Sequence, residues 1–461
     1  MSESGLRAAE EKMRAEGQAE EAIRNFRSAY ERVVKGDEVV IPSADLEPAG
    51  DVPALEELRQ PDQPDALKQF AVIKLNGGLA TTMGLSQPKS LLEAREGHTF
   101  LDIIVGQTLV LRRQYDLQLP LLLMDSEATQ QETLAALEQH PELAVDGLPP
   151  DFLQSMIPKL DAETLEPVSW PDNPALEWVP PGHGDVYGAL RRSGLLEELL
   201  ARGIRYAMIS NSDNLGSTLD PRIAEFVAAE EIPFLMEVVE GTEADRKGGH
   251  IARRKADGRL VLRETAQTPP EDEESFRDYR RWRYYNTNTL WVDLQALHET
   301  LERSGGVLEL PLIVNRKTVD PRDSDSPAVL QLESAMGAAI GSFSDARLLL
   351  VPRTRFAPVK TTDDLLVLRS DVYRLTDQMH VETTSALPFV ELDKKYYKLL
   401  DAFESRFPDG PPSLREAERF IVHGDVTFAA GVTVRGAVEL TAEEPKRIPD
   451  GSVLTGEGRE A

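Results

Sequence analysis

Between residues 70 and 240 short, mostly apolar runs alternate with longer stretches in which apolar residues recur every three or four positions. The first pattern is that of buried strands and the second that of amphipathic helices. "FAVIKLN", "LPLLLMDS", "RYAMISNSDN" and "IPFLMEVVE" read as strands. "TFLDIIVGQTLVLRRQY", "EATQQETLAALEQ", "YGALRRSGLLEELLARG" and "PRIAEFVAAEE" read as the helices between them. Apolar strands joined through helices predict a three-layer α/β/α domain on a mostly parallel, mixed sheet. Ligands of such sheets sit beyond the carboxyl ends of the strands, where "LNGG" and "NSDN" fall.

The two ends of the chain follow other rules. Residues 3–36 carry Ile23, Phe26, Tyr30 and Val33 at helical spacing before Gly36, which predicts an amphipathic helix, and a proline- and acid-rich linker follows. Beyond about residue 375, Phe420, Val426, Val432 and Val438 recur every six residues, interleaved with Val422, Phe428, Val434 and Leu440. A double row of period six predicts a small parallel β-helix, with an antiparallel hairpin as the alternative. The expected units are 1–68 (helical segment and linker), 69–375 (catalytic domain) and 376–461 (β-helical domain).

Composition narrows the possible functions. The 461 residues contain no cysteine, which excludes disulfides, thiolate zinc sites and a cysteine nucleophile. No segment reaches the ~18 apolar residues of a membrane span and the charged start is unlike a signal peptide, so a cytoplasmic protein without a membrane partner is expected. With 79 acidic against 51 basic residues, nucleic acid is a poor partner, and any phosphate ligand requires cations gathered in a cleft.

"KLNGGLATTMGLSQPKS" (74–90) is neither a Walker loop nor a dinucleotide fingerprint. Gly77 and Gly78 leave backbone amides free to approach a phosphate or a base, and Lys89 returns a dozen residues later; a flexible turn with an incidental lysine is the alternative. "WVPPGHGDVY" presents His183 between two glycines, although a lone histidine is more often structural. In "ISNSDNLG", Asp213 at a strand end suits magnesium beside phosphates, or else caps a turn. Asn286 and Asn288 in "YYNTNTLWV" share a strand face and suit sugar hydroxyls, while "VPRTRFAPVKTTDDLL" supplies Arg353, Arg355 and Lys360.

Together, "KLNGGLATTMG" with "PKS", "PPGHGDVY", "NSDNLG", "NTNTLWV", "QLESAMGAAIGSF" and "VPRTRFAPVKTTDDLL" resemble, in order, the UDP-glucose pyrophosphorylases of the eukaryotic type, also called UTP-glucose-1-phosphate uridylyltransferases. The resemblance implies a nucleotidyltransferase fold with a left-handed β-helix at its end. It also implies magnesium-dependent uridylyl transfer from UTP to α-glucose 1-phosphate, giving UDP-glucose and pyrophosphate by direct in-line displacement. Carried over, Leu75, Asn76, Gly77, Gly78, Gln154 and Gly182 line the nucleotide site, with Gln154 and Gly182 reading uracil. Lys89 holds the triphosphate, and Lys360 is the second essential cation. Gly77, Gly78, His183, Asn211, Ser212, Asp213, Asn286 and Asn288 meet the sugar phosphate, and Asp213 serves the metal.

Where the family reads Leu-Gly-Thr this chain has Leu79-Ala80-Thr81, and an alanine forced to positive φ costs about 1 kcal/mol. The last β-helical segment, through which animal and fungal members assemble, is short here, so a monomer or a homodimer made through the C-terminal domain is expected. Alternatives are a pyrophosphorylase for N-acetylglucosamine or galactose 1-phosphate, a nucleotide-sugar-dependent glycosyltransferase, and a silent nucleotide sensor.

Overall fold

The computed structural model describes residues 2–36, 40–321, 323–456 and 459–460. The N-terminal segment forms two helices rather than the single one its periodicity predicts: α1 (Ser2–Ala15) and α2 (Glu20–Lys35). The break falls at Gly17, whose φ of 73° closes the first helix, and Gly36 ends the second with φ 66°. The hairpin buries Ala9, Met13, Ile23, Phe26 and Tyr30 against Ile157, Leu160 and Leu332.

A mixed parallel and antiparallel sheet carries the centre of the molecule. Its elements in chain order are β1 (Phe70–Leu75), α3 (Phe100–Tyr115), β2 (Leu121–Asp125), α4 (Glu127–Leu137), β3 (Asp151–Leu153), α5 (Val186–Arg192), α6 (Leu195–Ala201), β4 (Tyr206–Asn211), α7 (Pro221–Ala229), β5 (Phe234–Glu240), β6 (Tyr284–Asp293), α8 (Leu294–Arg303) and β7 (Arg347–Leu350). Strand β1 pairs in parallel with β2 and β4, and β2 with β3. Phe70 and Val72 enter one core with α3 and α7, while Ala71 and Ile73 enter the opposite core with α5, α6 and α8. Cover on both faces explains why these strands are largely apolar.

Two departures from the sequence pattern bear on the site. The stretch 187–203 is two helices, because Gly194 at φ 75° separates α5 from α6. β6 runs antiparallel between β4 and β5, since the chain leaves β5 through a hairpin of strands (His250–Arg254, Leu260–Arg263) rather than a crossover helix. The carboxyl ends of β1, β2 and β4 nevertheless lie side by side, and the Ser212 N–H donates to Leu75 O across them at 3.2 Å.

After α9 (Thr362–Arg369), strands β8 (Phe389–Leu392), β9 (Ser413–His423), β10 (Thr433–Thr441) and β11 (Val453–Thr455) pair in parallel in that order. Phe420 lies opposite Val438 and Val422 opposite Leu440, three periods of six apart, while Val434 lies opposite Leu454, twenty residues on. Their side chains continue the core of the α3 face. Among the described residues no helix is long and apolar enough to cross a membrane.

Candidate functional site

The loop after β1 closes on itself. The Ala80 N–H donates to Gln87 O (3.1 Å) and the Lys89 N–H to Gly78 O (3.1 Å), so the lysine is returned to the glycines by the loop's own backbone. Ser126 Oγ, at the start of α4, donates to Gly77 O at 3.0 Å. Ala80 has φ −79°, which any L-residue adopts, so the strain expected of an alanine there is absent. The Asn76 side chain is buried and donates to Asp125 Oδ1 (2.7 Å) and Thr133 Oγ1 (2.9 Å). It anchors the loop to the sheet instead of facing the cleft.

Three charged groups converge at the ends of β1 and β4. Lys89 Nζ and Lys360 Nζ both donate to Asp213 Oδ2, at 2.8 and 2.9 Å. Burial alone would raise the Asp213 carboxyl, but the charges of Lys360 and Lys89 overcome it and hold the group below the ordinary carboxylate value. Its other oxygen, Oδ1, is buried and has no hydrogen-bond partner. Lys360 reaches the site because Asn214 stitches its segment to the β4 end: Nδ2 donates to Arg355 O (3.0 Å), and Oδ1 accepts from the Ala357 N–H (3.1 Å). Arg355 and Arg353, counted as available cations from sequence, are both committed elsewhere. Arg355 forms a buried pair with Glu237 (2.6 Å), and Arg353 pairs with Asp245.

Uncharged groups gather about Gly77 and Gly182. A Cβ on Gly77 would run into the Gln154 amide, so these two residues are in direct contact; the amide has no hydrogen-bond partner among the described residues. Gly182 has φ 81°, and a Cβ there would stand 2.5 Å from Ser334 O, so only glycine fits. Beside Gly77 opens a cleft of about 490 Å³, walled by Leu79, Met156, Trp178 and Pro180 and reached by Glu16 and Gln18 of the N-terminal turn.

His183 follows Gly182. Its Nδ1 accepts from the Met336 N–H at 3.0 Å, which leaves Nε2 as the N–H donor. Burial, then the charge of Lys360, pushes its pKa down to about 4, so the ring is neutral. Asn211 ends β4, with Ser212 buried beside it. Asn286 Nδ2 donates to Asn288 Oδ1, and the Asn288 N–H to Asn286 Oδ1, both at 2.8 Å. Asn288 has φ 56°, so the pair forms a locally strained kink in β6, with Asn288 Nδ2 uncommitted.

Two groups behind the site were not singled out from sequence. Lys74 is buried within β1 and donates to Ser210 Oγ (2.8 Å) and Ser217 O (2.7 Å); burial lowers its pKa to about 7. Asp125 ends β2, where burial raises its pKa to about 6. A lysine inside "FAVIKL" and an acid closing "LLLMD" were the available signals.

The family model described as UTP--glucose-1-phosphate uridylyltransferase matches residues 23–435. Curated relatives of that name include one from Solanum tuberosum, 39% identical over 91% of this chain and 85% of its own length. Another, from Saccharomyces cerevisiae, is 39% identical over 86% and 79%. Among solved structures, a mutant UDP-glucose pyrophosphorylase from Leishmania major in complex with UDP-glucose superposes with a TM-score of 0.92 at 42% identity, covering 98% of both chains. The Trypanosoma brucei UDP-glucose phosphorylase superposes with a TM-score of 0.91 at 42% identity and the same coverage. On the family model and these identities, the chain belongs to the UTP--glucose-1-phosphate uridylyltransferase family.

Proposed function

We infer that this protein joins UTP to glucose 1-phosphate, giving UDP-glucose and pyrophosphate. Membership of the family supports the reaction, and one observation supports the placement of its chemistry: Lys89 and Lys360 meet on Asp213, next to a glycine loop and an unpaired glutamine amide. A phosphate oxygen of the sugar phosphate attacks the α-phosphorus of UTP. The bond from that phosphorus to the bridging oxygen breaks, and pyrophosphate departs with the bonding electrons. The nucleophile is already ionised near neutral pH, so no general base and no covalent enzyme intermediate is required.

The barrier is repulsion between anions. Like charges ~4 Å apart at an effective dielectric of ~20 interact by roughly 4 kcal/mol, so two ammonium groups offset several such terms. In this reading Lys89 holds the triphosphate, and Lys360 meets the attacking and transferred phosphates. Both leave Asp213 as the phosphates arrive. The buried, unpartnered Asp213 Oδ1 fits a divalent cation bound by a single carboxylate. Among the described residues no group of three acidic or histidine side chains could hold an ion, so magnesium, which accepts phosphate and water oxygens, is the fitting choice. When bound, the metal neutralises phosphate charge.

Leu75, Asn76, Gly77 and Gly78 line the nucleotide site through their backbone, with Gln154 and Gly182 on the uracil edge. A glutamine amide can rotate to suit cytosine, so the fixed backbone of Gly182 sets the polarity. Neutral His183 donates from Nε2 to the sugar phosphate, beside Asn211, Ser212, Asn286 and Asn288. The period-six stacking supports a left-handed β-helix over 376–461, following a catalytic domain over 69–375 and a helical segment with linker over 1–68. A cytoplasmic monomer, or a homodimer through the last domain, completes the proposal.

The test is magnesium-dependent pyrophosphate release from UTP with glucose 1-phosphate, then with other sugar phosphates. Release that needs glucose 1-phosphate and prefers UTP to CTP supports the reading. UTP binding without release from any sugar phosphate overturns it.

A further inference from the structure

Gln154 and Gly182 come from separate segments, and neither lies within a strand of the sheet, so something other than the sheet must set their spacing. The three consecutive main-chain N–H groups of residues 154–156 each donate to a different part of the chain. Gln154 N–H donates to Asp125 O at the end of β2 (2.9 Å). Ser155 N–H donates to Asp185 Oδ2 (2.6 Å), and Met156 N–H to Gln18 Oε1 of the N-terminal turn (3.1 Å). Asp185 also donates its own main-chain N–H to Gly182 O, at 3.2 Å. One residue therefore bonds the Gly182 carbonyl through its backbone and the neighbour of Gln154 through its side chain. Arg192 Nη2 grips both carboxylate oxygens, at 2.8 and 2.7 Å, and the pair is shielded from solvent.

We propose that Asp185, clamped by Arg192 and assisted by Gln18, is the positioning residue that fixes the distance between Gln154 and Gly182 and so sets the choice of base. The inference rests on the uridylyltransferase reading given above. A buried acceptor that is charged and held from two sides is stiffer than a neutral one. A reader and a backbone group held at fixed spacing leave one of their polar atoms unpaired against the wrong base, whereas a loosened pair adjusts to either. The N-terminal hairpin acquires a role as well, since its turn supplies the third tie.

Asp185→Asn keeps size and an acceptor oxygen but loses the ion pair with Arg192; Arg192→Gln removes the clamp from the other side. Pyrophosphate release is measured with UTP and with CTP across concentrations, alongside thermal melts. The expected result is a KM for UTP raised ~10-fold, a UTP:CTP ratio of kcat/KM lowered ~10-fold, and kcat at saturating UTP nearly unchanged. A lowered melting temperature with the ratio intact would overturn the proposal, because an ion pair that only stabilises the fold leaves base choice alone. If either variant fails to fold, Gln18→Ala removes only the tie from the turn, and a raised KM for UTP at unchanged kcat is again required. If wild type itself releases no pyrophosphate, the functional reading fails, and calorimetric binding of UTP against CTP to the same variants still decides the positioning role.

Discussion

The two ends of the proposed site are built on opposite principles. At the proposed base end, Gly77, Gln154 and Gly182 are neutral: the Gln154 N–H donates to Asp125 O of β2, the Gly182 carbonyl accepts from the Asp185 N–H, and the Gly77 carbonyl accepts from Ser126 Oγ. At the phosphate end, Lys89, Lys360 and Asp213 are charged side chains that hold one another. Reading a base needs polar groups that cannot move, and backbone supplies them. Handling phosphates needs strong charge, and the buried Asp213 carboxylate is unfavourable to leave unpaired, so in the proposed reading each lysine rests on it until a phosphate competes. On the proposed reading, the base end is preorganised by geometry and the phosphate end by mutual neutralisation.

Removing a cation tests this contrast most severely. Lys360→Ala and Lys89→Ala are expected to lower kcat/KM by at least ~10²-fold in steady-state assays while leaving the UTP:CTP ratio unchanged. Lys360 is 55% exposed, so its replacement should leave the melting temperature close to that of wild type. A shifted base preference in either variant would show that the two ends are not separable.

Gly77→Ala strikes the other end. The new methyl displaces the Gln154 amide, the flexible tip of a side chain, so KM for UTP should rise ~10-fold with kcat nearly intact and little change in stability. Gly182→Ala meets backbone instead. Its φ of 81° and the approach to Ser334 O predict a lowered melting temperature together with weakened UTP binding by calorimetry.

His183 lies between the ends, and its titration sharpens the comparison. The imidazole is neutral in the folded protein down to about pH 4 but takes a proton near pH ~6.5 when unfolded. The unfolded state thus binds more protons in that window, and His183 makes stability fall as pH drops from ~6.5 to about 4. NMR titration of the ring should place its pKa near 4 in wild type and higher in Lys360→Ala, where one depressing charge is gone.

The smallest effect is expected at Ala80, which lies at φ −79°. Ala80→Gly should destabilise by under ~1 kcal/mol in denaturant melts, through added freedom of the unfolded chain, and leave both ends of the site working.

Much of this arrangement was legible in the residues. The alternation of apolar runs and helical periods marked β1, β2, β4 and β5, because burial on both faces leaves few polar positions to blur them. In the tail, Phe420 and Val422 lie opposite Val438 and Leu440, three periods of six further on, whereas Val434 lies opposite Leu454, twenty residues on. Lys89 and Asp213 were visible as charges beside glycines and strand ends. The breaks at Gly17 and Gly194 were not, since an isolated glycine in a helical pattern signals a stop only when its φ is known. Arg355 looked like a free cation because its partner Glu237 lies more than a hundred residues away in sequence.

Local pattern and composition, then, determined the elements, the exclusion of thiol chemistry and the residue types available for phosphate. Only the tertiary structure decided which of them meet. β6 slots in antiparallel, Asn214 brings the Lys360 segment to the end of β4, and Asp185 ties Ser155, the neighbour of Gln154, to Gly182. Those contacts join residues far apart in the chain, and their energies depend on burial and distance, quantities that exist only once the chain has folded.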